Sequence, residues 1–188
     1  MAEIENSIDS IITKFDKMGG AQRINRYDVL ITPPTKIQFN AVNTPFIASS
    51  VQIPTHITTY YQDTMAPSGS YIDIPIKRQV DQMFKIDFIV DYNWNIRNLF
   101  EEWTDLIFNR QEGENRNSAT VNYYDDIVGT ISINALNENG LPIKTINLYG
   151  AWPGTVMPSV MSNDIQNNYL TLQVDMNYRY YDISFPAS

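Results

Sequence analysis

The sequence predicts an α+β fold that is mostly β, with antiparallel strands, one central helix and an amphipathic N-terminal helix. Three observations carry that prediction. Residues 83–92, MFKIDFIVDY, set Phe84, Ile86, Phe88 and Val90 against Lys85 and Asp87, the period of a half-buried strand. Residues 170–180 alternate again, with Leu170, Leu172, Val174, Met176, Tyr178 and Tyr180 opposite Thr171, Gln173, Asp175, Asn177 and Arg179. Between them, Ile96, Leu99, Phe100, Trp103, Leu106 and Ile107 recur every three or four positions, the stripe of a helix lying on a core.

Taken in order, Ile4, Ile8, Ile11, Ile12 and Phe15 make an amphipathic helix that Gly19-Gly20 ends. Such a terminal helix packs on its own domain or docks on a neighbouring subunit, and the sequence leaves both open. Residues 1–20 are thus a helical arm, and 21–188 a single β domain. RYDVLITPP reads as a strand closed by Pro33-Pro34, and KIQFNA as a second strand after the turn. From Pro45 to Gln79, strand-like pieces are broken by Pro54, Pro67 and Pro75, which suit edges and loops rather than central strands. This stretch predicts an extended excursion at about 55–78, carrying Tyr60, Tyr61, Met65, Pro67 and Tyr71 out of the body.

The helix of 96–107 takes Asn95 as its expected N-cap, and RQEGENRNS after it is a loop. DIVGTISINAL and LPIKTINLYG are strands joined by NENG, where Asn-Gly signals a hairpin. The second of these ends in an unusual way. INLYGAWPGTV, residues 146–156, puts Trp152 between Gly150-Ala151 and Pro153-Gly154. Such rigidity suits a platform for a sugar or base, and equally a structural corner.

Composition excludes several classes. The chain holds 21 acidic and 13 basic residues, net charge −8, and such a surface repels phosphate backbones. Its 188 residues are enough to bury a real core. The opening MAEIENSIDSIITKF lacks the basic end and apolar run of a signal peptide. No stretch reaches the ~20 apolar residues of a membrane span. With no cysteine there is no disulfide or thiolate chemistry, which fits folding in a cytoplasm.

Catalytic and metal patterns fail in turn, and no cofactor is implied. DYNWNIRNLFEE places Asp91, Asn93, Asn95 and Glu102 at calcium-loop positions, but Ile96 stands where the loop needs glycine, and a capped helix explains the residues better. His56 is the sole histidine, so neither a histidine-based triad nor a histidine cluster can form. Glu101/Glu102 and Asp125/Asp126 are adjacent pairs, which point in different directions on a helix or strand and cannot flank one bond. No phosphate-binding glycine loop or nucleophile elbow is present. The twelve tyrosines, with doublets at 60–61, 123–124 and 180–181, fit a carbohydrate-binding module or a protein interface.

The C-terminal block IKTINLYGAWPGTVMPSVMSNDIQNNYLTLQVDMNYRYYD resembles the end of tail tube proteins from contractile-tailed bacteriophages. The matching residues are the Gly150, Trp152, Pro153 corner, Ser162-Asn163-Asp164, and the final strand from Leu170 to Tyr181. Upstream, INRYDVLI looks like the family's first strand and FKIDFIVDYNWNIRNLFEEW like its strand followed by a helix. The departures are the 55–78 excursion and the 110–118 loop.

The resemblance implies an antiparallel β-sandwich or barrel-like tube domain, non-enzymatic, forming rings of six that stack into the conduit for genome ejection. Type VI secretion tubes share that fold. The implied partners are copies of the chain itself, sheath, baseplate and terminator proteins, and DNA that passes without tight binding; no membrane is implied. The place is the virion tail, with assembly in the host cytoplasm. A tube-initiating baseplate protein of the same fold is the near alternative. In this setting 55–78 becomes a ring-stacking loop, and Thr171, Gln173, Asp175 and Asn177 a candidate lumen face. The same four residues also read as an ordinary solvated outer surface.

Overall fold

The structure, a computed structural model, describes residues 8–18, 20–37, 46–63, 72–80, 82–108, 120–159, 161 and 168–185. Its elements run α1 (Ile8–Lys17), β1 (Tyr27–Thr32), β2 (Ile47–Val51), β3 (His56–Asp63), β4 (Ile72–Val80), β5 (Met83–Ile89), α2 (Asn95–Ile107), α3 (Tyr124–Ile127), β6 (Gly129–Leu136), β7 (Pro142–Val156), β8 (Thr171–Asn177) and β9 (Tyr180–Ser184). The fold is mostly β, and all its strand pairs are antiparallel. One seven-stranded sheet follows the order β1-β6-β7-β8-β5-β2, with β9 also on β7, while β3 and β4 form a separate pair.

β7 explains how one hydrogen-bonded path wraps a core. Its first part, to Ala151, pairs with β6 on one side, and Thr145–Tyr149 also pair with β9 on the other. Its last part, Trp152–Val156, pairs with β8. The two later strands keep one register across the bend of β7, since Asn177 faces Trp152 and Tyr180 faces Tyr149; the register with β8 shifts by one only beyond Pro153. The sequence predicts one long final strand here; the structure interrupts it at Tyr178-Arg179. Their amides leave the regular ladder and donate to Gln82 O and Tyr149 O, each at 3.0 Å. The chain therefore passes from a β1-β6-β7-β9 half to a β7-β8-β5-β2 half with both of these amides paired. At the far ends of the path, Tyr27 Oη donates to Ala48 O at 2.8 Å and ties β1 to β2. Burial, then the charge of Asp87, push the Tyr27 hydroxyl above its ordinary value of 10.0, so it remains a proton donor.

Both halves turn apolar rows inward. Val29, Ile31, Ile131, Ile133, Ile146 and Leu148 come from one half, and Phe84, Ile86, Phe88, Leu172, Val174 and Met176 from the other. α2 completes the core with Ile96, Leu99, Phe100, Trp103 and Ile107, the stripe read from its sequence. Phe88 and Phe100 lie 5.5 Å apart between ring centroids. Trp103 is fully buried, and its indole N–H donates to Ile127 O at 2.7 Å. That bond holds the short α3, so the strand expected over DIVGTISINAL begins at Gly129, after a helical turn. Gly129 fits there because a Cβ would strike the Thr32 carbonyl and the Trp103 ring.

The cap of α2 differs from the expected one. Asn95 is the first helical residue, and Trp94 before it is left-handed at φ 59°. The capping group is Asp91: Ile96 N–H donates to its Oδ1 at 3.2 Å, and the Asn95 amide to its Oδ2 at 2.8 Å. Burial alone would raise the Asp91 carboxyl, but these bonds and other nearby amide donors outweigh it and lower it from 3.8. Asp91 and Asn95 of the calcium-loop pattern thus belong to a helix start, and Glu102 lies within α2. Of the predicted KIQFNA strand, Lys36 and Ile37 lie in a turn closed by Ile37 N–H to Pro34 O at 3.0 Å, and the remainder falls outside the described residues. The NENG hairpin is present, with Gly140 at φ 76° and the Asn137 side chain accepting from Asn139 and Leu141 N–H.

Asp91→Ala should cost about 1 kcal/mol in denaturant unfolding, the usual worth of a capping side chain. Because the folded-state value is lowered, this contribution is fully present above pH 3.8 and is lost as the pH falls through the lowered folded value. The gap between wild type and Asp91→Ala should narrow in that acidic window and stay constant above it.

Candidate assembly surfaces

The first candidate site is the corner. β7 does not end at Gly150, as the sequence suggests; it bends there and continues to Val156. Gly150 is the extra residue of a bulge, between Tyr149 facing Thr130 and Ala151 facing Gly129. Its φ of 64° suits glycine, and a Cβ would lie 2.7 Å from Tyr124 Oη and 3.0 Å from Arg179 Cβ. Tyr124 Oη in turn donates to Gly150 O at 3.2 Å. Beyond the bend, Ala151 and Pro153 are buried and Trp152 is partly buried against the core. β6 has left β7 by then, so Pro153 sits where a missing N–H costs little. Gly150, Trp152 and Pro153 therefore lie together where the two halves of the sheet meet.

The second is the β3–β4 ribbon. Every described side chain from residues 57–62 and 73–78 is exposed. Register places Tyr61 opposite Ile74 and Tyr60 opposite Pro75, with an irregularity after Thr59. Alternation then sets Ile57, Tyr61 and Ile74 on one face. Apolar side chains on an isolated ribbon have no core of their own, and two strands alone are marginal in water. Tyr60 and Tyr61 belong to this ribbon, whereas Met65, Pro67 and Tyr71 lie outside the described residues. So do Ser162-Asn163-Asp164.

The third is the polar face of β8. Thr171 is exposed, and Gln173 and Asn177 are half-buried. Asp175 departs from the expected wet face: it is 7% exposed, and its Oδ1 has no hydrogen-bond partner among the described residues. The reason is its central register, between Lys85 on β5 and Thr155 on β7. Thr171 and Gln173 instead line an open cleft of about 640 Å³ with Ser49, Asp87 and Tyr169. The other half of the sheet also turns out a polar face, unnoticed in the sequence because its residues are scattered, and it carries Asp28 opposite Asn134 and Asp182 opposite Asn147. There Ser132 Oγ donates to Asn147 Oδ1 at 2.6 Å and Thr145 Oγ1 to Asn134 Oδ1 at 2.8 Å. Tyr149 and Tyr180 stack beside them at 5.0 Å.

Among the described residues, no three His, Cys, Asp or Glu side chains are grouped to hold a metal. The surfaces that stand out are strand edges, a ribbon and flat polar faces. A family model described as "Phage tail tube protein" matches residues 22–184. The chain belongs to that family.

Solved structures agree on the fold. A chain of the extracellular contractile injection system PVC, in its extended sheath–tube complex, superposes with a TM-score of 0.54 at 14% identity, covering 96% of this chain and 99% of that one. A chain of the PVC sheath/tube terminator gives 0.54 at 14% identity, covering 86% and 95%. A chain of the anti-feeding prophage baseplate gives 0.55 at 14%, covering 85% and 91%. Curated protein sequences give no match. This tail tube protein has a structural role in the tail, built on an antiparallel β domain.

The corner makes two separable expectations. Gly150→Ala should destabilise the tail tube protein by roughly 1–2 kcal/mol or more, from the left-handed backbone and the Tyr124 contact. Gly140→Ala, with φ 76° but open space around it, should cost only the backbone part. Trp152→Ala, at a partly buried ring, should cost about 2 kcal/mol, against roughly 3–5 for the fully buried Trp103→Ala. Chemical denaturation midpoints of the four variants test the order.

Proposed function

We propose that this chain is the main tube subunit, closing with copies of itself into six-membered rings that stack into the genome conduit. The observation that carries this reading is the β3–β4 ribbon, whose exposed Ile57, Tyr61 and Ile74 need a surface outside their own subunit. Residues 55–78, with Tyr60, Tyr61, Met65, Pro67 and Tyr71, then reach the adjacent ring along the tube axis. β1 and β2 are tied to each other through Tyr27, whereas β9 carries a single ladder partner among the described residues, and an open edge of this kind pairs readily with another chain. Pairing it around a closed ring turns an aggregation hazard into the assembly step. The Gly150, Trp152, Pro153 corner holds the two sheet halves at the angle this closure requires, and binds no ligand.

Sheath, baseplate and terminator proteins are the expected partners, because chains of this fold occur in a sheath–tube complex, a terminator and a baseplate. The protein works in the virion tail after assembly in the host cytoplasm, and it is not an enzyme. DNA passes through the bore without being gripped. The net charge of −8 supports this, since phosphate contacts by Lys or Arg would hold the genome back. Thr171, Gln173 and Asn177 on the polar face of β8 line the bore in this reading, while Asp175 is buried behind its neighbours.

Electron microscopy of the purified protein should show rings that elongate into hollow tubes. Rings that never elongate would assign the chain to tube initiation at the baseplate, and dispersed monomers would reject the reading. Deleting Met65–Ser70 should leave a folded subunit, by circular dichroism, that forms rings without tubes; tubes of normal length would remove the stacking role. Gln173→Lys, assembled into particles, should slow genome release most at low salt, where screening is weakest. Release at the wild-type rate would place β8 away from the bore.

A further inference from the structure

Two apolar surfaces near one end of the sheet are left open in the single chain. The first is the stripe of α1, where Ile12 and Phe15 are 53% and 48% exposed. The helix closes at Gly20, whose N–H donates to Phe15 O at 2.9 Å with φ 89°. The following segment is fixed to the body: Gln22 Nε2 donates to Leu136 O at 3.0 Å, Leu136 N–H to Arg26 O at 3.0 Å, and Arg26 pairs with Glu138 at 3.2 Å. α1 is therefore tethered beside the β6–β7 turn.

The second surface lies next to that turn, where β7 begins and β9 ends. The core-facing row of β9 overruns the core. Tyr181 is partly buried against Tyr178, Ile183 opposite Ile146 is 38% exposed, and Phe185 beyond it is 73% exposed. Lys144 places its ammonium 5.9 Å from the Phe185 ring centroid, so a cation borders the patch. On α1, a turn of 100° per residue sets Asp16 on the border of the Ile12–Phe15 stripe. The helix thus offers an apolar stripe edged by a carboxylate, and the sheet end an apolar flank edged by an ammonium.

We propose that α1 of one copy packs its Ile12–Phe15 stripe on the Ile183–Phe185 flank of a second copy, with Asp16 facing Lys144. This rests on the tube reading and adds an arm exchange to its strand-edge contacts. A second copy is the occupant because the tether already brings α1 to this end of its own sheet, yet Ile12, Phe15 and Phe185 stay open there. An amphipathic helix laid in an apolar groove is a recurrent way to join protein surfaces.

The cysteine-free sequence gives a direct test. Phe15→Cys and Phe185→Cys proteins, distinguished by a size tag, are mixed, assembled and mildly oxidised. The mixed disulfide dimer should be the dominant cross-linked band, well above either homodimer. Adding Asp16→Lys to the first protein, which keeps the apolar stripe, should weaken that band. Rings or tubes seen by microscopy without the mixed dimer would overturn the arm exchange and leave the tube reading standing. A fast-migrating intrachain cross-link in one chain carrying both Phe15→Cys and Phe185→Cys, with no mixed dimer between the single variants, would overturn it in favour of packing on its own sheet. Wild-type protein that forms neither rings nor tubes would overturn the tube reading and this inference with it.

Discussion

The constraint on which this fold depends is the continuity of backbone pairing through the bend in β7. A sheet that folds over a core must change direction, and every amide it turns inward must still find a partner. β7 meets both demands in one strand of 15 residues. Gly150 absorbs the bend in a left-handed conformation closed to most side chains, and the β8–β9 path follows the bend in unbroken register. Tyr124 and Arg179 crowd the glycine, so the corner is packed as well as bent. With the turn built into a strand, no connecting loop separates the two halves, and their apolar rows face one core.

From that bend the other elements take their places. α2 enters against both halves through Phe100 and Trp103, and the Trp103 indole N–H fixes α3 ahead of β6. Its start depends on Asp91, a carboxylate held ionised by the amides it caps. Hydrophobic burial supplies the drive, and these few directional bonds choose one arrangement among those burial would allow. The buried Asp175, with one oxygen unpartnered among the described residues, runs against that economy. A buried polar group left unpaired costs stability.

For a tube protein, what the core leaves outside matters as much as what it covers. The ribbon of β3 and β4, the single-partnered edge of β9, and the open stripe of α1 are all surfaces a solitary monomer would be expected to protect. Their coexistence in one chain fits a subunit whose finished state is an assembly. The low share of charged residues has the same sense, because flat faces of Ser, Thr, Asn and Gln carry less desolvation cost than charged ones when copies meet.

Periodicity made the local structure legible. The alternation of Phe84, Ile86 and Phe88, the stripe from Ile96 to Ile107 and the Asn-Gly of the hairpin are each imposed by a backbone repeat that a single segment contains, and each reappears in the fold. The mostly β class and the family followed from them and from the Gly150–Trp152–Pro153 motif. The sequence could not show that β7 continues through that motif, because a glycine followed by proline reads as a stop until the partner strand on the far side is known. Nor could it show that Asp91 replaces Asn95 as the cap, or that Asp175 is buried within an alternating polar face. Both depend on which groups lie across space: a left-handed Trp94 turns Asp91 toward the helix end, and strands on either side enclose Asp175. Local pattern determined which faces are apolar; only tertiary contact decided which polar groups are covered, because burial comes from neighbours that are distant in the chain.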